Sequence, residues 1–250
     1  MAICSWHDAM YSSPHHKAII NILASFDPNF LSENNILFGG GTRIVLELDE
    51  FRESVDIDLF CIGKDAYRAA RSTVTNVSFG RLLRKGHTLT RFANREIRTD
   101  RDAIRALLEG PRRPIKLEII NFPNTLLLAD KPQNLFPIPC VSREGCFATK
   151  LTANADRYQS HIKDILDLCM MRRAWGPIPQ PAWDSACDEY GHQVIATALG
   201  EALRDLTARH QIHEKHATES PHTSDGLAKI LIREQAPEWL DELHAAHMVL

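Results

Sequence analysis

The chain has 250 residues, 44% hydrophobic and 24% charged, with a formal net charge of −3. That length suits one large domain or two modest ones, and that composition is ordinary for a soluble globular protein. No run approaches the roughly 20 apolar residues of a membrane span, and the opening MAICSWHDAMYSS lacks the basic-then-apolar layout of a signal peptide. Six cysteines (Cys4, Cys61, Cys140, Cys146, Cys169 and Cys187) show no C-x-x-C spacing, which argues against a zinc site or a disulfide framework. Reduced thiols in a cytoplasmic protein are the expectation.

In chain order, Ser13-Pro14 has the cap-then-proline form of a helix start, and Ile19, Ile20, Leu23 and Phe26 recur at helical spacing up to Asp27-Pro28. Asn35–Phe38 is a short apolar strand feeding a glycine turn. The spacing of Ile44, Val45 and Leu48 predicts a helix over Thr42–Glu50. Val55–Ile62 reads as a strand, Asp65–Val74 as a helix, Thr88–Phe92 as a strand and Arg101–Glu109 as a helix ending at Gly110-Pro111. Ile115–Ile120 alternates as a strand, with Lys116 and Glu118 on one face. Asp130–Cys140 is proline-rich and reads as a linker. Beyond it the strand patterns stop. Val141–Met171 and Gly191–Arg209 read as helices, separated by a loop over Trp175–Trp183, and further helices are predicted over Ser224–Ala236 and Glu238–His247. The architecture is therefore α+β: an α+β domain over residues 1–139, with a mixed sheet and flanking helices, followed by a helical domain over 140–250.

The chemistry concentrates between Phe38 and Ile62, FGGGTRIVLELDEFRESVDIDLFCI. A glycine turn at a helix N-terminus offers backbone N–H groups and the positive end of the helix dipole to a phosphate. Residues two apart in a strand share a face, so Asp56 and Asp58 project together while Ile57 and Leu59 enter the core. Paired carboxylates suit Mg²⁺, which takes a few carboxylates plus substrate phosphates. Glu118, an acid in an apolar strand pattern, is the expected third ligand. A phosphate cradle followed by such a metal site reads as phosphoryl or nucleotidyl transfer. Charge is also uneven: eleven Lys/Arg against four acids between Gly80 and Lys116 give a local +7 and leave −10 for the rest. A surplus of that kind suits a phosphate-rich partner.

These residues resemble the opening of the AbiEii/AbiGii-type nucleotidyltransferase toxins, the MenT toxins among them. The shared pattern is a glycine pair with Ser/Thr, then Arg-x-Ser/Thr-x-Asp-x-Asp, here Gly40, Gly41, Thr42, Arg52, Ser54, Asp56 and Asp58. The later stretch TKLTANADRYQSHIKDILDL is similar to the second signature of that family and supplies Lys150, Ala153, Asp156, Arg157, Asp164 and Asp167. Lys163 stands where the family usually has arginine. The resemblance implies a nucleotidyltransferase fold with a site built from Asp56, Asp58, Lys150 and Asp164. Gly40, Gly41, Thr42, Arg52, Ser54, Lys150 and Arg157 would bind the nucleotide, and Asp56, Asp58 and Glu118 would hold Mg²⁺ or Mn²⁺. It further implies transfer of an NMP from an NTP to an RNA acceptor, tRNA in particular, with toxicity countered by a cognate antitoxin. Two alternatives stand beside it: a protein hydroxyl as acceptor, and a non-catalytic nucleotide-binding or interaction protein of the same fold. A phosphohydrolase is disfavoured because the H-D metal pairs of many such enzymes are absent.

One geometric condition follows. Lys150 and Asp164 would stand roughly 21 Å apart along an unbroken helix, so a break is predicted near Tyr158–Ser160, with Ser160 capping the second helix and Asp164 in its first turn. His210, His213 and His216 recur at about one turn with no evident orienting carboxylate, and read as a solvated helix end. Trp175, Trp183 and Trp239 read as packing anchors.

Overall fold

The computed structural model describes residues 11–122, 135–220 and 222–245. Residues 130–134 of the predicted linker, 246–247 of the last predicted helix, and Cys4 lie outside the described residues. The chain divides into two compact units, Met1–Glu50 with Ser54–Ser142 and Phe51–Glu53 with Arg143–Leu250. The architecture is α+β, a mixed sheet with flanking helices and a helical C-terminal half.

In the first unit, helix α1 (Pro14–Ser25) begins with a proline, whose missing N–H would be unpaired there in any case, and buries Ile19, Ile20 and Leu23. Helix α2 (Pro28–Glu33) is capped by Asp27, which accepts from the N–H of Asn29 at 2.9 Å and of Phe30 at 3.3 Å. Strand β1 (Ile36–Gly39) runs into helix α3 (Gly40–Glu47), then strand β2 (Asp56–Ile62) and helix α4 (Lys64–Thr73). Strands β3 (Arg98–Thr99), β4 (Ala103–Leu108) and β5 (Ile115–Phe122) complete a five-stranded sheet of order β1-β2-β5-β4-β3. The β2–β5 pair is parallel and the other pairs are antiparallel. One sheet face carries Ile57, Leu59, Ile104, Ala106, Leu117 and Ile119 into a core shared with Ile19, Leu23 and Phe26 of the helical layer. Each such buried aliphatic side chain contributes about 1.5–3 kcal/mol. Burial of this face leaves the polar residues of β2, β4 and β5 on the other.

Two segments of this unit differ from the sequence reading. Arg101–Glu109, predicted helical, forms β4. Ala, Leu and Arg favour helix, but a single short helix is marginal in water, whereas β4 pairs along its whole length with β5. Its burial follows the strand period: Ile104, Ala106 and Leu108 are buried while Arg105 and Leu107 are half-buried. Thr88–Phe92, predicted as a strand, contributes one bridge, Arg91 to Leu108. The chain then enters a tight turn at Phe92–Asn94, where Ala93 and Asn94 have φ of 50° and 53° and cannot extend a ladder.

The second unit is helical among its described residues: α5 (Arg143–Arg157), α6 (Lys163–Trp175), α7 (Gln180–Tyr190), α8 (His192–Ala208), α9 (His210–Glu219), α10 (Asp225–Lys229), a π-helical turn over Ile230–Gln235, and α11 (Ala236–Ala245). Helix α5 packs against α6, α7 and α8, and α8 against α11. The break required between Lys150 and Asp164 spans residues 158–162. Ser160 does not cap the second helix, however. Its hydroxyl donates to the Arg157 carbonyl at 3.2 Å, and Ile162 occupies the cap position. The predicted loop over Trp175–Trp183 gives way at Gln180 to α7, because prolines in a first turn leave no intrahelical donor unmade. His213 is buried rather than solvated, with Nε2 2.8 Å from Asp205 Oδ2 across the α8–α9 junction. That carboxylate precedes it by eight residues on another helix, outside any helical-repeat pattern. Trp175 does act as a packing anchor, edge-on to Phe147 at 6.0 Å.

Candidate active site

In the first unit, β1 ends at Gly39, the register partner of Asp58 on β2. The next residue, Gly40, has φ +70°, and a Cβ there would lie 2.0 Å from Asp58 Oδ2. Only glycine therefore lets this carboxylate rest against the first turn of α3, at the positive end of its dipole. Thr42, on the same turn, is buried; its hydroxyl meets Ser54 Oγ at 2.8 Å and donates to the Asp56 carbonyl. Thr42 and Ser54 thus fix the helix N-terminus to the start of β2. Gly41 lies between them on that turn.

On β2, Asp56 and Asp58 face one way and are half-buried, while Ile57 and Leu59 are buried. The parallel register sets Asp56 beside Lys116 and Asp58 beside Glu118 on β5. Adjacent strands are ~4.8 Å apart, so Glu118 is one strand from Asp58 on the same face. Glu118 is held there by Arg105 Nε at 2.9 Å and Lys116 Nζ at 2.5 Å, and Arg105 also donates to Asp100. Arg105 is a residue the sequence reading missed, because its segment was read as a helix and its partner lies on another strand.

Whether these residues suit a divalent cation can be judged from the donor set. It is all oxygen, which selects hard cations such as Mg²⁺ or Mn²⁺. Among the described residues, no group of three or more His, Cys, Asp or Glu is arranged to hold a metal by itself. Mg²⁺ does not need one, since it is commonly held by one or two carboxylates plus substrate phosphates. Asp56 and Asp58 fit that requirement. Glu118 would join them on exchanging a cationic partner for the ion.

The loop leading into β2 is tied down by His16, buried on α1. Its Nδ1 meets Glu50 Oε1 at 2.7 Å and its Nε2 lies 3.0 Å from the Ser54 carbonyl. Burial pushes the Glu50 carboxyl up, but bonds from Ser12, His16 and Ser13 outweigh it and bring the pKa down to about 2. This brace, 34 residues apart in sequence, left no local signal.

In the second unit a charge cluster gathers the second signature. Lys150, only 7% exposed, lies 2.7 Å from Asp164 Oδ1 and 2.6 Å from Asp167 Oδ2. Arg157 donates to Asp164 at 2.6 and 3.0 Å. Arg52, in the 51–53 segment, grips Asp167 with two bonds of 2.6 and 2.7 Å and donates to the Glu53 carbonyl at 2.9 Å. Burial pushes the Asp164 carboxyl up, yet Lys150 and Arg157 hold it well below the usual carboxylate range. Burial likewise works against the Lys150 charge, and Asp167 and Asp164 more than offset it, leaving its pKa raised. Three cations face two carboxylates, a surplus of +1. The part of Asp167 was missed, although its i,i+3 spacing from Asp164 put both on one helical face.

Comparison with known proteins adds family and fold. Residues 21–246 match the family described as nucleotidyl transferase AbiEii toxin, type IV toxin–antitoxin system. Among solved structures, a proposed nucleotidyltransferase from H. pylori is 14% identical with a TM-score of 0.50, over 92% of this chain and 96% of that one. JHP933 from Helicobacter pylori is also 14% identical, with a TM-score of 0.51 over 95% of this chain and 96% of that one. At such identity these likenesses concern the fold. No curated protein matches.

Proposed function

We propose a reaction from a plain premise: this chain belongs to the AbiEii nucleotidyl transferase toxin family, of the type IV toxin–antitoxin systems. As a nucleotidyltransferase of that family it would meet an NTP substrate and an antitoxin partner. The finer reading is transfer of an NMP to an RNA 3′ end, tRNA in particular, with Mg²⁺ as the metal. The observation that carries it is the Asp56/Asp58 face, with Gly40 seating Asp58 against a helix N-terminus.

The NTP phosphates lie along the first turn of α3, over Gly40 and Gly41, with Thr42 and Ser54 holding that turn in place. A bound divalent cation would screen the triphosphate and lower the pKa of the attacking hydroxyl. Asp56 and Asp58 would hold it, with Glu118 as the third carboxylate. The acceptor hydroxyl oxygen forms a bond to the α-phosphorus and the α–β bridging P–O bond breaks. Pyrophosphate leaves, and the hydroxyl proton passes to a carboxylate oxygen on this face. Little covalent chemistry is asked of the protein; it positions the reactants and neutralises charge. Within the helical unit, Asp164 and Asp167 hold Lys150, Arg157 and Arg52, whose net positive charge is assigned to nucleotide binding.

Purified protein incubated with each labelled NTP, Mg²⁺ and total RNA or protein tests this reading. Label should enter RNA, pyrophosphate should be released, and Asp58→Ala should abolish both. Equal labelling by Asp58→Ala would sink the assignment. Label confined to protein would move the acceptor to a protein hydroxyl, and Mg²⁺-dependent NTP binding without product would leave a non-catalytic binder.

A further inference from the structure

Asp58 has two neighbours across the sheet, and they differ. On the β1 side is the glycine turn; on the β5 side the same face continues as Glu118, Arg105 and Arg98, in register on successive strands. Lys116, beside Asp56, extends this basic stretch. Here the face opens into a cavity of about 400 Å³ lined by Arg95, Glu96, Arg98, Arg105 and Lys116, four cations to one acid. Arg105 and Lys116 are engaged with Glu118. Arg95 and Arg98 are exposed and have no carboxylate partner among the described residues. The Arg95 guanidinium lies 6.0 Å from the ring of Phe92, one of the exposed large hydrophobic side chains.

We propose that this cavity binds the phosphodiester backbone of a single-stranded RNA 3′ end, with Phe92 stacking on a base. The inference rests on the nucleotidyl-transfer reading above. From Asp58 to Arg98 is three strand steps, roughly 14 Å, too long for one phosphate and suited to successive phosphates of a strand. Cations that track a backbone beside an exposed aromatic ring are how single strands are bound without sequence preference. Because the glycine turn lies on the opposite side of Asp58, the triphosphate and the acceptor reach the aspartates from different sides. The cavity thus assigns part of the +7 segment to a built acceptor site and leaves the rest as ordinary surface.

The test is binding of the full chain, without NTP, to a fluorescein-labelled 20-nucleotide RNA with a free 3′-hydroxyl, titrated across salt. For single strands the logarithm of affinity falls with the logarithm of salt by about 0.7 per phosphate contacted. Arg95→Gln/Arg98→Gln should weaken binding at least tenfold and make that slope shallower by roughly 1. Arg98→Lys should keep the parental slope. Phe92→Ala should weaken binding by about fivefold or more with the slope unchanged. Arg68→Gln, an exposed cation on α4 outside the cavity, should match the parent. These side chains are exposed, so melting temperatures should be unchanged. Parental RNA binding by the double variant overturns the cavity. If the parent still labels RNA from NTP, nucleotidyl transfer survives that result. If the parent labels only protein, or nothing, the RNA-acceptor reading falls and the cavity proposal falls with it.

Discussion

At Gly40 the missing Cβ decides whether Asp58 keeps its place. A side chain there would sit 2.0 Å from Oδ2, on a backbone with φ +70°. Left-handed backbone alone costs an ordinary residue roughly 1–2 kcal/mol, which a domain of this size tolerates. Moving a metal-binding carboxylate by about 1 Å costs far more in rate, on the order of 100-fold. Gly40→Ala is therefore expected to keep its circular dichroism spectrum and lose about 100-fold in NMP transfer. Activity within twofold of the parent would show that Asp58 does not depend on this contact. Glycine pairs are common, and the sequence reading took this one as a backbone phosphate cradle. The close approach to Asp58 required the β1–β2 register, which pairs Gly39 with Asp58.

At the scale of elements, α5 shows what helical periodicity reveals and what it hides. Lys150, Asn154 and Arg157 recur at i, i+4 and i+7 and share a face. The two cations find carboxylates on α6. Asn154, only 1% exposed, has neither its amide nitrogen nor its oxygen hydrogen-bonded among the described residues. An unpaired buried polar group costs about 1–3 kcal/mol, and an apolar group of similar shape removes that cost. Asn154→Leu should thus raise the unfolding free energy by about 1–2 kcal/mol, read as a higher urea midpoint at unchanged m-value. An equal or lower midpoint would mean that the amide is satisfied in solution. Strand β4 teaches the complementary lesson. Its residues favour helix locally, and only pairing with β5 makes it a strand. The helices on either side of the α5–α6 break were legible because Leu151, Ile165, Leu166 and Leu168 repeat at helical spacing, whereas the absence of a Ser160 cap was not.

For the whole molecule, the Lys150–Asp164–Asp167 cluster should shape the pH dependence of stability. The folded pKa of Asp164 lies below its unfolded value of about 3.9, so its stabilisation is complete above that value and is lost as pH falls through the folded pKa. Lys150 is raised above its unfolded value of about 10.4, so its contribution is complete below that value and is lost as pH rises through the folded pKa. Urea unfolding across pH should show a plateau from about 5 to 9 with falls on either side. Asp164→Asn leaves buried cationic charge short of a partner and should lower the plateau by about 3–5 kcal/mol. It should also flatten the acid limb. A plateau unchanged by Asp164→Asn would remove this cluster as a source of stability.

The sequence by itself determined the α+β-then-helical order, the one-sided projection of Asp56 and Asp58, and the break that returns Asp164 towards Lys150. Each follows from local periodicity, turn chemistry or helix rise, which a chain carries wherever it goes. Only tertiary structure decided that residues 103–108 are a strand, that Glu118 is clasped by Arg105, that Arg52 serves Asp167, and that His16 braces the loop before β2. Those pairings join residues 13 to 115 positions apart. Their free energy exists only once the folded chain brings both partners out of water together, so neither partner's own neighbourhood records it.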